Sequence, residues 1–331
     1  MTTKITCSTA LKTFGFILSA SLTLGGLLPL QAHAEKAFKA NQPVRLVVPF
    51  PPGGGSDTLA RITSNAVGNM LNEPMIVLNR AGAEGAIGSE YVARAAPDGY
   101  TLLMGSADTH SIYPHVYTNA KFDAEAAIAI SPVGAMGYVL VGRPELEAKT
   151  LDELIKLGKE KQLSYSSWGV GNSSNLAMLS FSKATEIKSP LHVPYQGAGP
   201  AAMGVISSQV DIMMMPVPIA RAQGDKVIQY GIASPKRSSQ LPDLPTLREQ
   251  SVDVVTEAWI GIVAPPKTPK DVADTLNKAI QAALATPESQ KAVENTGIRP
   301  QLMSAEEFDS YLRDESAKWK TIVTEANIKI D

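Results

Sequence analysis

The sequence predicts an α/β protein of two lobes, each a mainly parallel sheet flanked by helices. Three observations carry this expectation. Apolar strand-like runs alternate with helix-like stretches, the pattern of parallel sheets covered by helices. The order strand, glycine loop, helix, strand, glycine loop, helix, strand occurs between residues 44 and 104 and again between 163 and 215. The length of 331 residues suits two domains better than one core.

The first 34 residues stand apart. Lys4 and Lys12 give a positive start, 14–30 is apolar with small residues, and Ala32-His33-Ala34 is a small-x-small cleavage signature. Together they read as a secretory signal peptide cut after Ala34. The apolar run is short for a membrane span and holds Gly25, Gly26 and Pro29. Cys7, the only cysteine, leaves with this segment, so the mature chain is expected to hold no disulfide and no thiol. The formal net charge of -2 argues against a nucleic-acid partner, and losing Lys4 and Lys12 makes the chain more acidic still. The 44% hydrophobic content is that of an ordinary globular protein. A mildly acidic, cysteine-free, exported chain fits the bacterial periplasm.

In the first lobe, 44–50 is a valine-rich run of strand length, followed by the loop PPGGGS at 51–56. Leu59, Ile62, Ala66, Val67 and Met70 approach a helical stripe, with Ser56 or Asp57 as its cap. A strand at 75–78, a glycine loop at 82–88, a helix at 87–95, a Pro97-Asp98-Gly99 turn and a strand at 101–104 follow.

The second lobe is expected to place strands at 163–166, 191–195 and 210–215, glycine loops at 169–174 and 196–200, and helices at 175–183 and 201–207. Two apolar runs, 133–141 and 258–264, read as crossings between lobes. Amphipathic helices at 271–284 and 308–326 would complete lobe one. The expected boundaries are 35–137 with 260–331 for lobe one and 138–259 for lobe two. The cleft would be lined by strand C-termini, where open α/β sheets bind ligands.

The glycine loops exclude some ligands. PPGGGSD lacks the lysine of a phosphate-binding loop, and GAEGAIG at 82–88 has the wrong spacing for a dinucleotide fingerprint. Asp57 beside the loop disfavours a polyphosphate. A small carboxylate could take hydrogen bonds from the amides of residues 53–56 at the positive end of the following helix. One such loop could equally be a plain strand–helix turn; four at strand C-termini in two lobes favour a binding site. Catalytic patterns are poor: no HExxH and no G-x-S-x-G occurs. His110 and His115 are five apart in an apparent loop, which is weak as a metal pair. His192 reads as structural, Asp211 as a local cap and the methionines at 213–215 as core. Trp168 either packs against the neighbouring lobe or faces the ligand. No metal, no cofactor and no enzymatic activity is expected.

The segments VVPFPPGGGSDTLAR (47–61), LNRAGAEGAIGSEYVARAAPDGYTLL (78–103), LHVPYQGAGPAAM (191–203), LPDLPTLREQ (241–250) and AWIGIVAPPKTP (258–269) resemble the Bug family. These are periplasmic solute receptors of tripartite tricarboxylate transporters. The resemblance implies a Venus-flytrap periplasmic binding protein of class II type, which takes a small mono-, di- or aromatic carboxylate for a membrane permease and works as a monomer. It implies that carboxylate oxygens are held by main-chain amides and ordered waters at the strand–helix loops, which in lobe one match Phe50, Pro52, Gly53, Gly54, Gly55, Ser56 and Asp57. In lobe two they match Tyr195, Gly197, Gly199, Pro200 and Ala201. Ser106, Ala107, Ser167, Trp168 and Ser173 would line the remaining walls. Trp168 and Asn175 depart from the family's usual SSGxGSxxHL, at a small residue and a frequent histidine. A receptor that feeds a signalling protein, and a secreted enzyme on the same scaffold, are the alternative readings.

Overall fold

The computed structural model describes residues 41–71 and 73–331. The expected signal peptide, its cleavage after Ala34 and Cys7 lie outside the described residues.

The first sheet has six strands. β1 (Val44–Val48), β2 (Met75–Asn79) and β3 (Thr101–Ser106) alternate with α1 (Gly55–Leu71) and α2 (Ala86–Ala93). β1 lies between β2 and β3 and is parallel to both, with Val47 opposite Leu78 on one side and Leu103 on the other. Four of its five residues are buried, as a strand covered on both faces requires. A π-helical turn, Ala107–Ile112, and the short α3 (Tyr113–Val116) follow β3. The sheet is completed by β4 (Ile128–Met136), β10 (Ala258–Ala264) and β11 (Arg299–Pro300) in the order β11-β4-β10-β3-β1-β2. Its helices are α8 (Lys270–Leu284), α9 (Pro287–Asn295) and α10 (Ala305–Glu325).

The second sheet holds β5 (Tyr138–Gly142), β6 (Ser164–Ser167), β7 (Leu191–Pro194), β8 (Ile212–Pro216) and β9 (Ile228–Ile232), in the order β7-β6-β8-β5-β9. Its helices are α4 (Leu151–Glu160), α5 (Ser173–Thr185), α6 (Ala198–Ile206) and α7 (Val217–Gln223). Gly137 alone separates β4 from β5, so one continuous extended run carries the chain from lobe to lobe. The chain returns through 233–257 into β10.

Among the described residues, parallel strand-to-strand pairing joins β1, β2 and β3 and joins β6, β7 and β8, with isolated parallel bridges at Tyr117–Ile330 and Ile232–Thr246. Both sheets are mixed because a strand arriving from the other lobe enters in the opposite sense. β10 is antiparallel to β3 and β4, and β5 is antiparallel to β8 and β9. The glycine loops emerge at the C-terminal ends of two of the three parallel strands in each lobe, β1 and β2 in one and β6 and β7 in the other.

Some local expectations shift. α1 begins at Gly55, because the Gly54 carbonyl accepts the Thr58 amide at 3.0 Å. Ser56 and Asp57 are therefore both in the first turn, and neither is the cap. α5 begins at Ser173 and α6 at Ala198, earlier than the apolar stripes alone indicate. α4 was detectable from its capping box: Thr150 Oγ1 accepts the Glu153 amide, and Glu153 Oε2 accepts the Thr150 amide. The Met213–Met215 side chains are fully buried, and Asp211 is held by Arg143 and Ser164.

The main core runs from one lobe into the other and includes Tyr138, Phe181, Trp259 and Phe308. A smaller apolar cluster joins Ile112 and Val116 to Leu176 of α5 and to Trp319 and Val323 of α10.

Candidate functional site

The β1–α1 loop is built around Asp57. Its side chain is buried, and Oδ2 accepts the Gly53 amide at 2.9 Å. Arg61 donates to both carboxylate oxygens at 3.0 Å, and Asn79 Nδ2 donates to Oδ1 at 2.9 Å. Asn79 Nδ2 also reaches the Phe50 carbonyl at 3.2 Å. Hydrogen bonding from Arg61, then from Gly53 and Asn79, holds the Asp57 pKa down at about 2. The Gly53 amide is thus consumed inside the loop, contrary to the expectation that it faces a ligand.

Gly53 has φ +81°, a conformation that other residues rarely adopt. Gly54 and Gly55 do not. A Cβ on Gly55 would meet nothing within 4 Å, and one on Gly54 only the Pro51 carbonyl at 3.6 Å. These two glycines keep a stretch of backbone bare, and 51–55, Pro52 included, is exposed. Helix geometry leaves the amides of Gly55, Ser56 and Asp57 without intrahelical partners at the positive end of α1.

Lobe two supplies a matching end. Gly197 (φ +117°) precedes α6, and its carbonyl accepts the Ala201 amide at 3.2 Å. The first-turn amides of Ala198 and Gly199 remain, since Pro200 has none. Ala201 is buried, with its carbonyl taken by Ser166 Oγ at 2.9 Å. The Tyr195 side chain turns away along α6: its hydroxyl donates to Gln209 at 3.3 Å and lies against Gly204.

The wall residues are mostly engaged within the protein. Ser106 and Ala107 are buried, and the Ser106 amide donates to Thr109 Oγ1 at 3.0 Å. Ser167 Oγ is shared between the Gly169 carbonyl (2.7 Å) and His192 Nε2 (2.8 Å). His192 stacks on Tyr165 at 4.7 Å. Trp168 is half-buried with its ring 5.9 Å from that of Tyr138. Ser173 Oγ accepts from the Tyr138 hydroxyl at 2.7 Å. Asn175 is not a cleft residue; it accepts the Gly171 amide at 2.8 Å and donates to Tyr165 Oη at 2.7 Å.

Phe50, Gly85 and Thr109 converge, bringing together the loops that follow β1, β2 and β3: a Cβ on Gly85 would lie 2.7 Å from Thr109 Cγ2 and 3.4 Å from Phe50 Cζ. The loop after β6 reaches them through Asp108, whose Oδ1 accepts the Ser173 amide at 2.8 Å. Among the described residues, no hydrogen bond joins 50–57 to 195–201.

Two carboxylates at this junction were not anticipated. Gly82, Ala83, Glu84 and Gly85 all have positive φ, two of them without the freedom of glycine. This bend carries Glu84 to lobe two, where its Oε1 would be 3.4 Å from a Cβ on Gly169. Burial raises the pKa of Glu84 and of Asp108, and no cationic side chain pairs with either among the described residues. Glu84 carried no local signal, since alanine and glutamate seldom adopt positive φ. Asp108 had none, because its partner is 65 residues away. His110 is buried beside Trp259, and burial lowers its pKa to about 4, so it is neutral at ordinary pH. No group of three or more metal-binding side chains occurs among the described residues.

Comparison with known proteins agrees with this architecture. The model of the tripartite tricarboxylate transporter family receptor, TctC, matches residues 59–328. Protein BugT of Bordetella pertussis is 30% identical over 318 residues, covering 93% of this chain and 95% of BugT. A protein encoded in the tcbD-tcbE intergenic region of Pseudomonas sp. strain P51 is 32% identical over 306 residues, covering 89% of each. The structure of the periplasmic binding protein BugD aligns with a TM-score of 0.76 at 31% identity, covering 88% of this chain and 100% of BugD. MatC from Rhodopseudomonas palustris, with bound malate, aligns with a TM-score of 0.74 at 28% identity, covering 86% of this chain and 99% of MatC. The chain belongs to the tripartite tricarboxylate transporter receptor family, the Bug family of periplasmic solute-binding proteins.

Proposed function

We propose that the chain, exported and cleaved after Ala34, captures a small carboxylate between its lobes and hands it, as a monomer, to the permease subunits of a tripartite tricarboxylate transporter. The observation that carries this reading is the pair of bare helix N-termini, at α1 and α6, one on each lobe. Gly55, Ser56 and Asp57 offer amides on one side, and Ala198 and Gly199 on the other. Two such ends facing one anion bind it without a buried cation. Bound malate in MatC supports the carboxylate class. Neither half-site need hold the solute alone; closure of the lobes makes the loaded form distinct to the permease. Mass spectrometry of the small molecules that co-purify with the periplasmic protein tests this. A carboxylic acid released in near-stoichiometric amount is expected; release of only cationic or neutral solutes refutes the reading.

A further inference from the structure

The cleft is not symmetric. On one flank, lobe two is fastened to lobe one along the loop after β6 and along α5. Asp108, in the π-helical turn of lobe one, accepts the amide of Ser173, the first residue of α5, at 2.8 Å. Gly171 (φ +76°) lies so close to Val116 that a Cβ would come within 2.8 Å of its Cγ1. Leu176 of α5 is fully buried in the cluster with Ile112, Val116, Trp319 and Val323. Lys183, near the far end of α5, pairs with Glu325 of α10 at 2.6 Å. On the other flank, the β7–α6 loop is half-buried, with Gln196 exposed, and has no hydrogen bond to lobe one among the described residues.

We infer that Asp108 is a positioning residue: its carboxylate fixes the N-terminus of α5 to lobe one and makes the β6–α5 loop the stationary wall of the cleft. The β7–α6 loop is then the wall that moves. Asp108 accepts the Ser173 amide and Asn172 Oδ1 the Asn175 amide, so two of the first-turn amides of α5 are consumed inside the protein, whereas those of α1 and α6 stay open. The Asp108 carboxyl meets the positive end of α5, and no cationic side chain pairs with it among the described residues. Glu84, across from Gly169, adds a second carboxyl group at the same junction, and Tyr138 holds Ser173 Oγ from the crossing strand. The functional half of this inference rests on the proposed solute capture; its structural half does not.

The test uses three variants and no solute. Asp108→Ala removes the acceptor. Asp108→Asn keeps an acceptor oxygen. Ser173→Pro removes the donor at a helix position that tolerates proline, after Asn172 in extended conformation (φ -83°, ψ 170°). Hydrogen exchange of the segment 168–176 and the solution radius of gyration are measured for each. Asp108→Ala and Ser173→Pro are expected to exchange about tenfold faster there and to have a larger radius, and combining them should add little. Asp108→Asn is expected to restore both readouts. Wild-type exchange and radius in Asp108→Ala and in Ser173→Pro would overturn the inference, as would Asp108→Asn behaving like Asp108→Ala. If Asp108→Ala does not fold, the Ser173→Pro and Asp108→Asn results decide. These readouts are independent of what the cleft binds, so either proposal can fail alone.

Discussion

Asp57 Oδ2 accepts the amide of Gly53 at 2.9 Å, and this bond closes the glycine loop onto its own helix. The residue that disfavoured a phosphate in the sequence is therefore the one that shapes the loop. Asp57→Ala should leave the Gly53 amide without its acceptor and Asn79 half-satisfied, at a cost of about 1–3 kcal/mol. Chemical denaturation measures that loss. A variant as stable as the parent would contradict the role of Asp57 as the loop's internal anchor.

The same bond network predicts an acid limit. The folded pKa of Asp57, about 2, lies below its ordinary 3.8. Its stabilising contribution is therefore complete above pH 3.8 and is lost as pH falls through about 2. A carboxyl-carbon NMR titration should place the Asp57 midpoint near that value, and a midpoint at the ordinary position would break the account.

His110 carries a steeper part of the acid response. Its folded pKa of about 4 lies below the ordinary 6.5, so burial of the neutral ring stabilises the fold above pH 6.5. That contribution declines as pH falls from 6.5 towards 4, by on the order of 3 kcal/mol. His110→Gln should show a flatter stability profile across this window in denaturation experiments. An unchanged slope would assign the effect to His115 or His192, whose pKa values are also lowered by burial.

Gly54 separates binding from folding. Its φ is not positive, and a Cβ there meets only a carbonyl at 3.6 Å. Gly54→Val should keep the melting temperature within a few degrees while covering the amides at the start of α1. Solute affinity should drop by tenfold or more in calorimetry. Equal affinity would remove the loop from the site.

Fluorescence reports the lobe-two wall. Trp259 and Trp319 are fully buried, with indole N–H groups fixed on Ser111 and Glu315. Trp168 is half-buried beside Tyr138. A solute-induced emission change should therefore vanish in Trp168→Phe. Survival of the full signal in that variant would place the response elsewhere.

What the sequence showed and what it hid follow one physical division. The strand, glycine loop and helix order was legible because apolar periodicity and glycine are local signals, and they located both sheets and the loops after β1, β2, β6 and β7. The antiparallel strands β5 and β10 were seen as apolar runs, but their direction depends on which lobe they enter. At the candidate site, the glycines of 53–55 were readable, whereas the internal use of the Gly53 amide depends on Asn79 and Arg61 meeting Asp57 in space. Asp108 shows the limit most clearly. An aspartate in SADTHS carries no pattern, and its importance comes from a helix end brought to it from the other lobe.

Calorimetric titration of the solute-stripped receptor with a panel of mono-, di- and aromatic carboxylates decides whether the two lobes form a carboxylate site. Saturable one-to-one binding of at least one carboxylate is expected, with little change in affinity above the pH at which that acid is fully ionised. No heat from any carboxylate, alongside binding of a cationic or uncharged solute, would contradict it.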